Sequence, residues 1–433
     1  MSGPRDGAVS VAWPAAVRLL ARWLDQRERI DALLDTLPAS LAGAERARCQ
    51  NLVLGVVRHF GRIEVALARL VAHPPRFTTR AVLFTAGYEL IEAAEGTDRE
   101  GRVAKIVHHA VEQTKSISSP AEARLVNAVV RKLAPALGSP RPAKDANGAE
   151  LAEYFSHPEW LVLSWLAQFG PEATYALLEW NLRPATVYAR WRGGSEPVPE
   201  FFRPTAWPGF YEVESGHWPA VEPLLKSGKI YLQDPSTRLP VELLAPQSGE
   251  SAIDLCAAPG GKSLLMADAM KKGKLVALDL PTARIDRLKD NLSRAGEVEV
   301  ALVQADVLGD AIAALREHKL PTQYDAVLID APCSNTGVMR HRVDVKWRLQ
   351  PGDLKKHPQQ QLSLLHAAAR LVAPRGRLVY STCSIDAGEN EHVIREFFLS
   401  RAGSAFKREA SVLSYPWVTG HDGGGAFLLR RKA

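Results

Sequence analysis

The chain has 433 residues, 46% hydrophobic and 24% charged, with 54 Lys+Arg against 48 Asp+Glu and a formal net charge of +6. That is an ordinary globular balance in a chain long enough for two or three domains with large cores, and its modest basicity suits a polyanionic partner. The four cysteines, Cys49, Cys256, Cys333 and Cys383, form no CxxC pair, so neither a disulfide framework nor a zinc site is indicated and free thiols remain for chemistry.

Residues 1–140 carry 19 Lys+Arg against 14 Asp+Glu, so most of the positive excess lies in the first third. Apolar residues recur there at helical spacing: Ile30, Leu33, Leu34 and Leu37; Val53, Val56, Val57 and Phe60; Val103, Ile106, Val107 and Ala110; Leu125, Val126, Val129, Val130 and Leu133. This predicts an all-helical bundle over 1–134. A linker from Pro135 to Gly148 holds three prolines. Residues 150–182 read as helical, with Trp160, Trp165 and Trp180 on apolar faces. Residues 183–230, rich in Pro, Gly and Trp, read as a small α+β subdomain.

From Ser251 the pattern changes. Apolar runs at Ala252–Leu255, Leu275–Leu280, Val298–Val303, Ala326–Ile329 and Arg377–Ser381 alternate with helical candidates at 263–272, 281–295, 309–318, 353–373 and 389–400. Such alternation predicts a parallel, doubly wound sheet, which binds ligands beyond the carboxyl ends of its strands. After the first run stands Asp254-Leu-Cys-Ala-Ala-Pro-Gly-Gly-Lys-Ser263. It lacks the GxGxxG of a dinucleotide turn, and Cys256 occupies the first glycine position of a P-loop. A tight strand-to-helix turn remains, in which Gly260 and Gly261 permit close backbone approach.

Asp279, Asp306 and Asp330 fall at three successive strand ends. One such acid alone is more often a helix cap than a ligand; three would line one crevice, with Asp279 placed to meet ribose hydroxyls. The fourth run leads into Asp330-Ala-Pro-Cys-Ser-Asn-Thr-Gly337 and the fifth into Ser381-Thr-Cys-Ser384. A lone cysteine is by default a small buried hydrophobe. Two at adjacent strand ends, one beside an acid, favour chemistry.

These segments, with Tyr380-Ser-Thr-Cys-Ser-Ile-Asp-Ala-Gly-Glu-Asn-Glu391 and Leu232-Gln-Asp-Pro-Ser-Thr237, resemble the motifs of RNA cytosine-5 methyltransferases of the NOL1/NOP2/Sun family. The helical first third resembles the NusB-like domain of its bacterial ribosomal branch, the RsmB (Sun/Fmu) family. The resemblance implies a NusB-like RNA-binding domain at 1–134, a linker and small α+β subdomain at 149–230, and an α/β Rossmann-like S-adenosylmethionine-dependent methyltransferase domain at 231–433. It implies Cys383 as covalent nucleophile, Asp330 at the base edge and Cys333 in product release. Cys256, Ala257, Ala258, Pro259, Gly260, Gly261, Lys262, Asp279, Asp306 and Asp330 would hold S-adenosylmethionine. The implied partner is small-subunit (16S) ribosomal RNA before assembly is complete.

Asn335 departs from the family pattern, where Gly is usual, as do His341-Arg342-Val343 and the tail Asp422-Gly-Gly-Gly-Ala-Phe427. An amino-directed methyltransferase would need a different segment after the fourth run than Pro332-Cys333. A non-catalytic RNA-binding scaffold would not need Asp330, Cys333 and Cys383 together, and transfer RNA is the alternative substrate. No stretch approaches the roughly 20 apolar residues of a membrane span. A cytoplasmic monomer without a metal or a membrane partner is expected.

Overall fold

The computed structural model describes residues 11–94 and 99–433. It divides into two compact units: the described residues to Pro184 with Met339–Arg348, and Ala185–Val338 with Leu349–Ala433.

The first unit is helical, with helices at Ala12–Gln26, Ile30–Asp35, Gly43–Arg58, Phe60–Leu70, Phe77–Ala94, Arg99–Ile117, Pro120–Ala136, Gly148–Tyr154 and Glu159–Leu182. The apolar stripes form its core: Ile30, Leu33, Val53, Val56, Val57, Val126, Val130 and Leu133 are buried together. Phe77–Ala94 is apolar on nearly every side and buried on nearly every side, as a central helix must be. Pro120 opens its helix behind Ser119, whose hydroxyl accepts the Glu122 amide at 3.3 Å.

This unit extends further along the chain than the sequence suggests. The two helices between Gly148 and Leu182 group with it rather than with the α+β segment that follows. Ser156 is the reason at one end: its Oγ accepts the Gly61 amide at 2.8 Å, and Arg69 pairs with Glu153 at 2.9 Å. The unit also takes in Met339–Arg348, from the middle of the second unit's sequence. A helix leaves its last carbonyls and first amides without partners. At the end of Gly43–Arg58, Trp347 Nε1 donates to Val57 O at 2.7 Å and Lys346 Nζ to Arg58 O at 2.9 Å. At the start of Ile30–Asp35, the Asp344 carboxylate accepts the Ile30 amide at 3.3 Å. Val343 joins the helical core. These ten residues therefore cap two helix ends.

The second unit contains two sheets among the described residues. The smaller is antiparallel, ordered β2-β3-β1-β4, from β1 (Tyr188–Trp191), β2 (Phe202–Pro204), β3 (Phe210–Val213) and β4 (Ile230–Leu232), with a helix at Trp218–Lys226. This is the expected α+β segment. The larger sheet has the order β10-β11-β9-β8-β5-β6-β7. Its parallel strands are β5 (Ser251–Leu255), β6 (Gly273–Asp279), β7 (Val298–Gln304), β8 (Tyr324–Asp330) and β9 (Val372–Thr382). All five match the predicted runs. The sheet is mixed rather than wholly parallel, because β10 (Phe406–Ser414) and β11 (Gly424–Arg431) add an antiparallel hairpin beside β9. Alternate residues face two cores: Ile253, Leu255, Val327 and Ile329 on one side, Ala252, Leu275, Ala326 and Leu328 on the other. The chain runs outward from β5 through β6 to β7, then returns to β8 on the opposite side of β5. That reversal is the switch point at which a ligand crevice opens.

Candidate active site

The residues predicted for catalysis and cofactor binding lie at or just beyond the carboxyl ends of these strands, whereas His341-Arg342-Val343 falls in the helical unit. Cys256 follows β5, Asp279 ends β6, Asp306 follows β7, Asp330 ends β8 and Cys383 follows β9. β5 gives way to a turn in which Cys256 has φ 62° and Gly260 φ 104°, after which Gly261–Met270 is helical. A Cβ on Gly260 would lie 2.9 Å from Leu288, so glycine is needed for packing as well as for backbone conformation.

Asp279 pins this turn. One of its oxygens accepts the Ala258 amide and the other the Leu280 amide, each at 2.7 Å, and the residue is 4% exposed. Asn291 holds the far side, donating to Pro259 O at 2.7 Å. Asp306 is exposed and caps its own loop, accepting the Leu308 amide at 2.9 Å. Leu280 and Leu308 are 46% and 45% exposed, leaving apolar surface beside these carboxylates.

Lys262, Asp330 and the two cysteines form a tighter group. Lys262 Nζ donates to Asp330 Oδ2 at 2.6 Å, and Ser381 Oγ donates to Asp330 Oδ1 at 2.9 Å. Burial pulls the Lys262 ammonium down, but Asp330, Cys383 and Asp254 outweigh it and hold its pKa above the ordinary lysine value. Cys383 Sγ lies 3.1 Å from Cys333 Sγ, and both thiols are free. The hydrogen bond shared with Cys383 pushes the Cys333 thiol well up, and burial adds to it, so Cys333 keeps its proton. Burial, followed by the charges of Asp279, Asp330 and Asp254, likewise raises Cys256. A cavity of about 90 Å³ opens between Lys262, Asp330 and Cys383 on one side and Thr237, Asp422 and Gly423 on the other.

The glycine-rich tail now has a reason. Gly423 N donates to Gly337 O at 2.8 Å, and Gly337 N donates to Cys383 O at 3.0 Å. A Cβ on Gly424 would lie 2.5 Å from Thr382 O. The tail runs directly over the cysteine loops, where side chains do not fit. Asn335 is also explained: its φ is 62°, in the left-handed region that glycine takes freely and asparagine tolerates best among the rest.

The sequence reading missed the layer beneath. Glu389, fully buried, accepts from the Ser334 amide at 2.9 Å, the Ser384 hydroxyl at 2.7 Å, Gln361 Nε2 at 2.8 Å and the Ser334 hydroxyl. Asp386 accepts from Thr336 Oγ1 at 2.5 Å; burial, with Glu389 nearby, raises it to about 6. These acids tie the Cys333 loop to the Cys383 loop. Both lie inside the Tyr380–Glu391 motif, which could have flagged them, whereas nothing in the sequence pointed to Gln361. Asp254 was also passed over. It is fully buried, bonded to Ser263 at 2.5 Å, and raised to about 7 chiefly by burial.

Residues 241–412 match the model of the 16S rRNA methyltransferase RsmB/F family, and residues 12–135 match the NusB family. Fold and site together therefore define an RNA methyltransferase that joins a NusB-type helical domain to a Rossmann-like catalytic domain. The chain is 35% identical over 303 residues to a probable ribosomal RNA small subunit methyltransferase B of Bacillus subtilis, covering 67% of this chain and 66% of that protein. It is 30% identical to the ribosomal RNA small subunit methyltransferase B of Sodalis glossinidius, over 88% of each chain. The crystal structure of PH0851 has the same fold, with TM-score 0.75 and 23% identity over the whole of both chains. The chain belongs to the RsmB/F family.

Proposed function

We propose that the protein transfers a methyl group from S-adenosylmethionine to carbon 5 of a cytosine in small-subunit (16S) ribosomal RNA, through a covalent adduct with Cys383. The observation that carries this is the placement of Cys383 in the wall of one cavity with the Lys262–Asp330 pair, its thiol 3.1 Å from a second free thiol, Cys333.

Carbon 5 of cytosine is a poor nucleophile. Addition of a thiolate to carbon 6 makes carbon 5 enamine-like and splits one hard step into easier ones. Cys383 suits that attack, being partly exposed where Cys333 is buried and held protonated. The Lys262 ammonium favours the thiolate. Asp330 meets the base edge and favours protonation at ring nitrogen 3; the proton Cys383 gives up as it attacks carbon 6 balances the one received there. Once the Cys383 sulfur is bonded to carbon 6, Cys333 is the second thiol beside the adduct, 3.1 Å from that sulfur in the resting site. Cys333 must then release its own thiol proton to solvent, the one proton the overall transfer sets free. As thiolate it takes the carbon 5 proton, the carbon 5–carbon 6 double bond re-forms, the sulfur–carbon 6 bond breaks, and Cys383 recovers the proton held at nitrogen 3 as product leaves.

The turn Cys256–Lys262, with Asp279, Asp306 and Asp330, fits the methyl donor: backbone at a switch point, carboxylates for ribose hydroxyls, and the exposed faces of Leu280 and Leu308 for a flat base. When bound there, S-adenosylmethionine supplies the electrophilic methyl group. The basic helical domain suits RNA phosphates, and the target base must leave its stack, which loops and single strands allow at least cost. Bisulfite sequencing of ribosomal and transfer RNA from a strain lacking the gene tests this. One small-subunit cytosine should lose its resistance to conversion. A loss confined to transfer RNA would redirect the substrate, and no loss in either would refute the reading.

A further inference from the structure

We infer that Asn335 is a positioning residue for Cys383: its side-chain carbonyl receives the Cys383 S–H and so favours the protonated sulfur over the thiolate. The inference rests on Cys383 being the nucleophile.

Two contacts fix the geometry. Cys383 Sγ lies 3.3 Å from Asn335 Oδ1, and Asn335 Nδ2 donates to Cys333 O at 2.7 Å. The second contact decides how the amide faces. Reversing it would set Oδ1 against a carbonyl oxygen, two acceptors with no proton between them. Oδ1 therefore faces the thiol and can only accept from it. The contacts then form a chain in one direction: Cys333 S–H to Cys383 sulfur at 3.1 Å, and Cys383 S–H to Asn335 Oδ1. The backbone at φ 62° places this side chain between the two cysteines.

The charged and titratable groups around Cys383 pull in opposite senses. Lys262 favours the thiolate. Asp330 opposes it from β8, as does Asp422 from the cavity's far wall. Cys333 touches it as a thiol, and Asp386 and Glu389 lie beneath the loops that carry both cysteines. Against this background Asn335 is a neutral acceptor that favours the protonated sulfur alone.

Glycine keeps the backbone at Asn335 and removes both side-chain bonds. Aspartate keeps an acceptor and adds a negative charge. The test is alkylation of Cys383 by iodoacetamide as a function of pH in the full-length protein, read by mass spectrometry on the peptide bearing Cys383. In Asn335→Gly the midpoint should fall by roughly 0.7 pH unit, making alkylation near neutral pH about fivefold faster, the effect of one ordinary hydrogen bond. In Asn335→Asp it should rise. A merely structural role would move both variants the same way. Unchanged midpoints, or a rise in the glycine variant, would overturn the inference. Alkylation reads the thiol itself, so this outcome stands apart from whether Cys383 forms the RNA adduct.

Discussion

Asp279 offers the sharpest test of how the cofactor turn is built. The sequence suggests a ribose ligand, yet each carboxylate oxygen accepts a backbone amide at 2.7 Å, the Ala258 amide buried and the Leu280 amide partly so, and the residue is 4% exposed. Asp279→Ala leaves the Ala258 and Leu280 amides without acceptors. A hydrogen bond to a charged group contributes about 1.5–3 kcal/mol, so two should total roughly 3–5 kcal/mol after partial rescue by water. That is a large share of a stability that is typically 5–15 kcal/mol. Two measurements separate pinning from ribose binding. In the ligand-free protein, amide hydrogen exchange at Ala258 and Leu280 should speed up and the urea midpoint should fall. Calorimetry should show weaker S-adenosylmethionine binding as a consequence. Asp279→Asn keeps one oxygen acceptor and should lose less in each. If Asp279→Ala loses cofactor affinity while ligand-free stability and exchange stay unchanged, the pinning argument is wrong and the carboxylate serves the ligand alone.

Cys383→Ala should abolish turnover and form no adduct, whereas Cys333→Ala should still attack and then accumulate a protein–RNA adduct that survives denaturing electrophoresis; the double mutant should form none, because attack precedes release. Adducts trapped by Cys383→Ala would reverse the assignment. A chain beginning at Gly148 should lose most RNA affinity and the steep salt dependence that goes with phosphate contacts. It should also unfold more readily than the catalytic motifs alone suggest, because Val343 loses the core it joins and Lys346 and Trp347 lose the helix end they cap; a stable truncated protein would contradict the described packing. Asp254 has a folded pKa of about 7, raised chiefly by burial, against an unfolded value near 3.9. Between those values the unfolded state gives up the proton first, so this residue makes stability fall as pH climbs from about 4 to 7. Asp254→Asn should flatten that part of a denaturation-against-pH curve, and an unchanged slope would remove Asp254 as its cause.

Much of the catalytic sheet was legible because each parallel strand is a short apolar run ending in a residue with chemistry to offer. Asp279, Asp330 and Cys383 could thus be placed at strand ends by counting. The hairpin β10–β11 was not legible: β10 is an edge strand half open to solvent, with a weaker apolar signal than a strand buried on both faces, and buried β11 starts behind the glycines of the tail. The glycines of the tail looked like missing side chains and proved to be a backbone laid over Cys383.

By itself the sequence determined the helical character of the first third, the alternating core of the last half, and the residues that could do the chemistry, because periodicity and residue type are local properties. Only the tertiary structure decided what those residues touch. It turned Asp279 toward the Ala258 and Leu280 amides, brought two thiols from separate loops to 3.1 Å, set the Asn335 amide against Cys383 and buried Glu389 and Asp386 beneath. It also placed Met339–Arg348 among helices some 280 residues earlier in the chain. No pattern along the chain encodes that pairing, since the carbonyls and amides left over at a helix end do not specify which distant side chain will satisfy them.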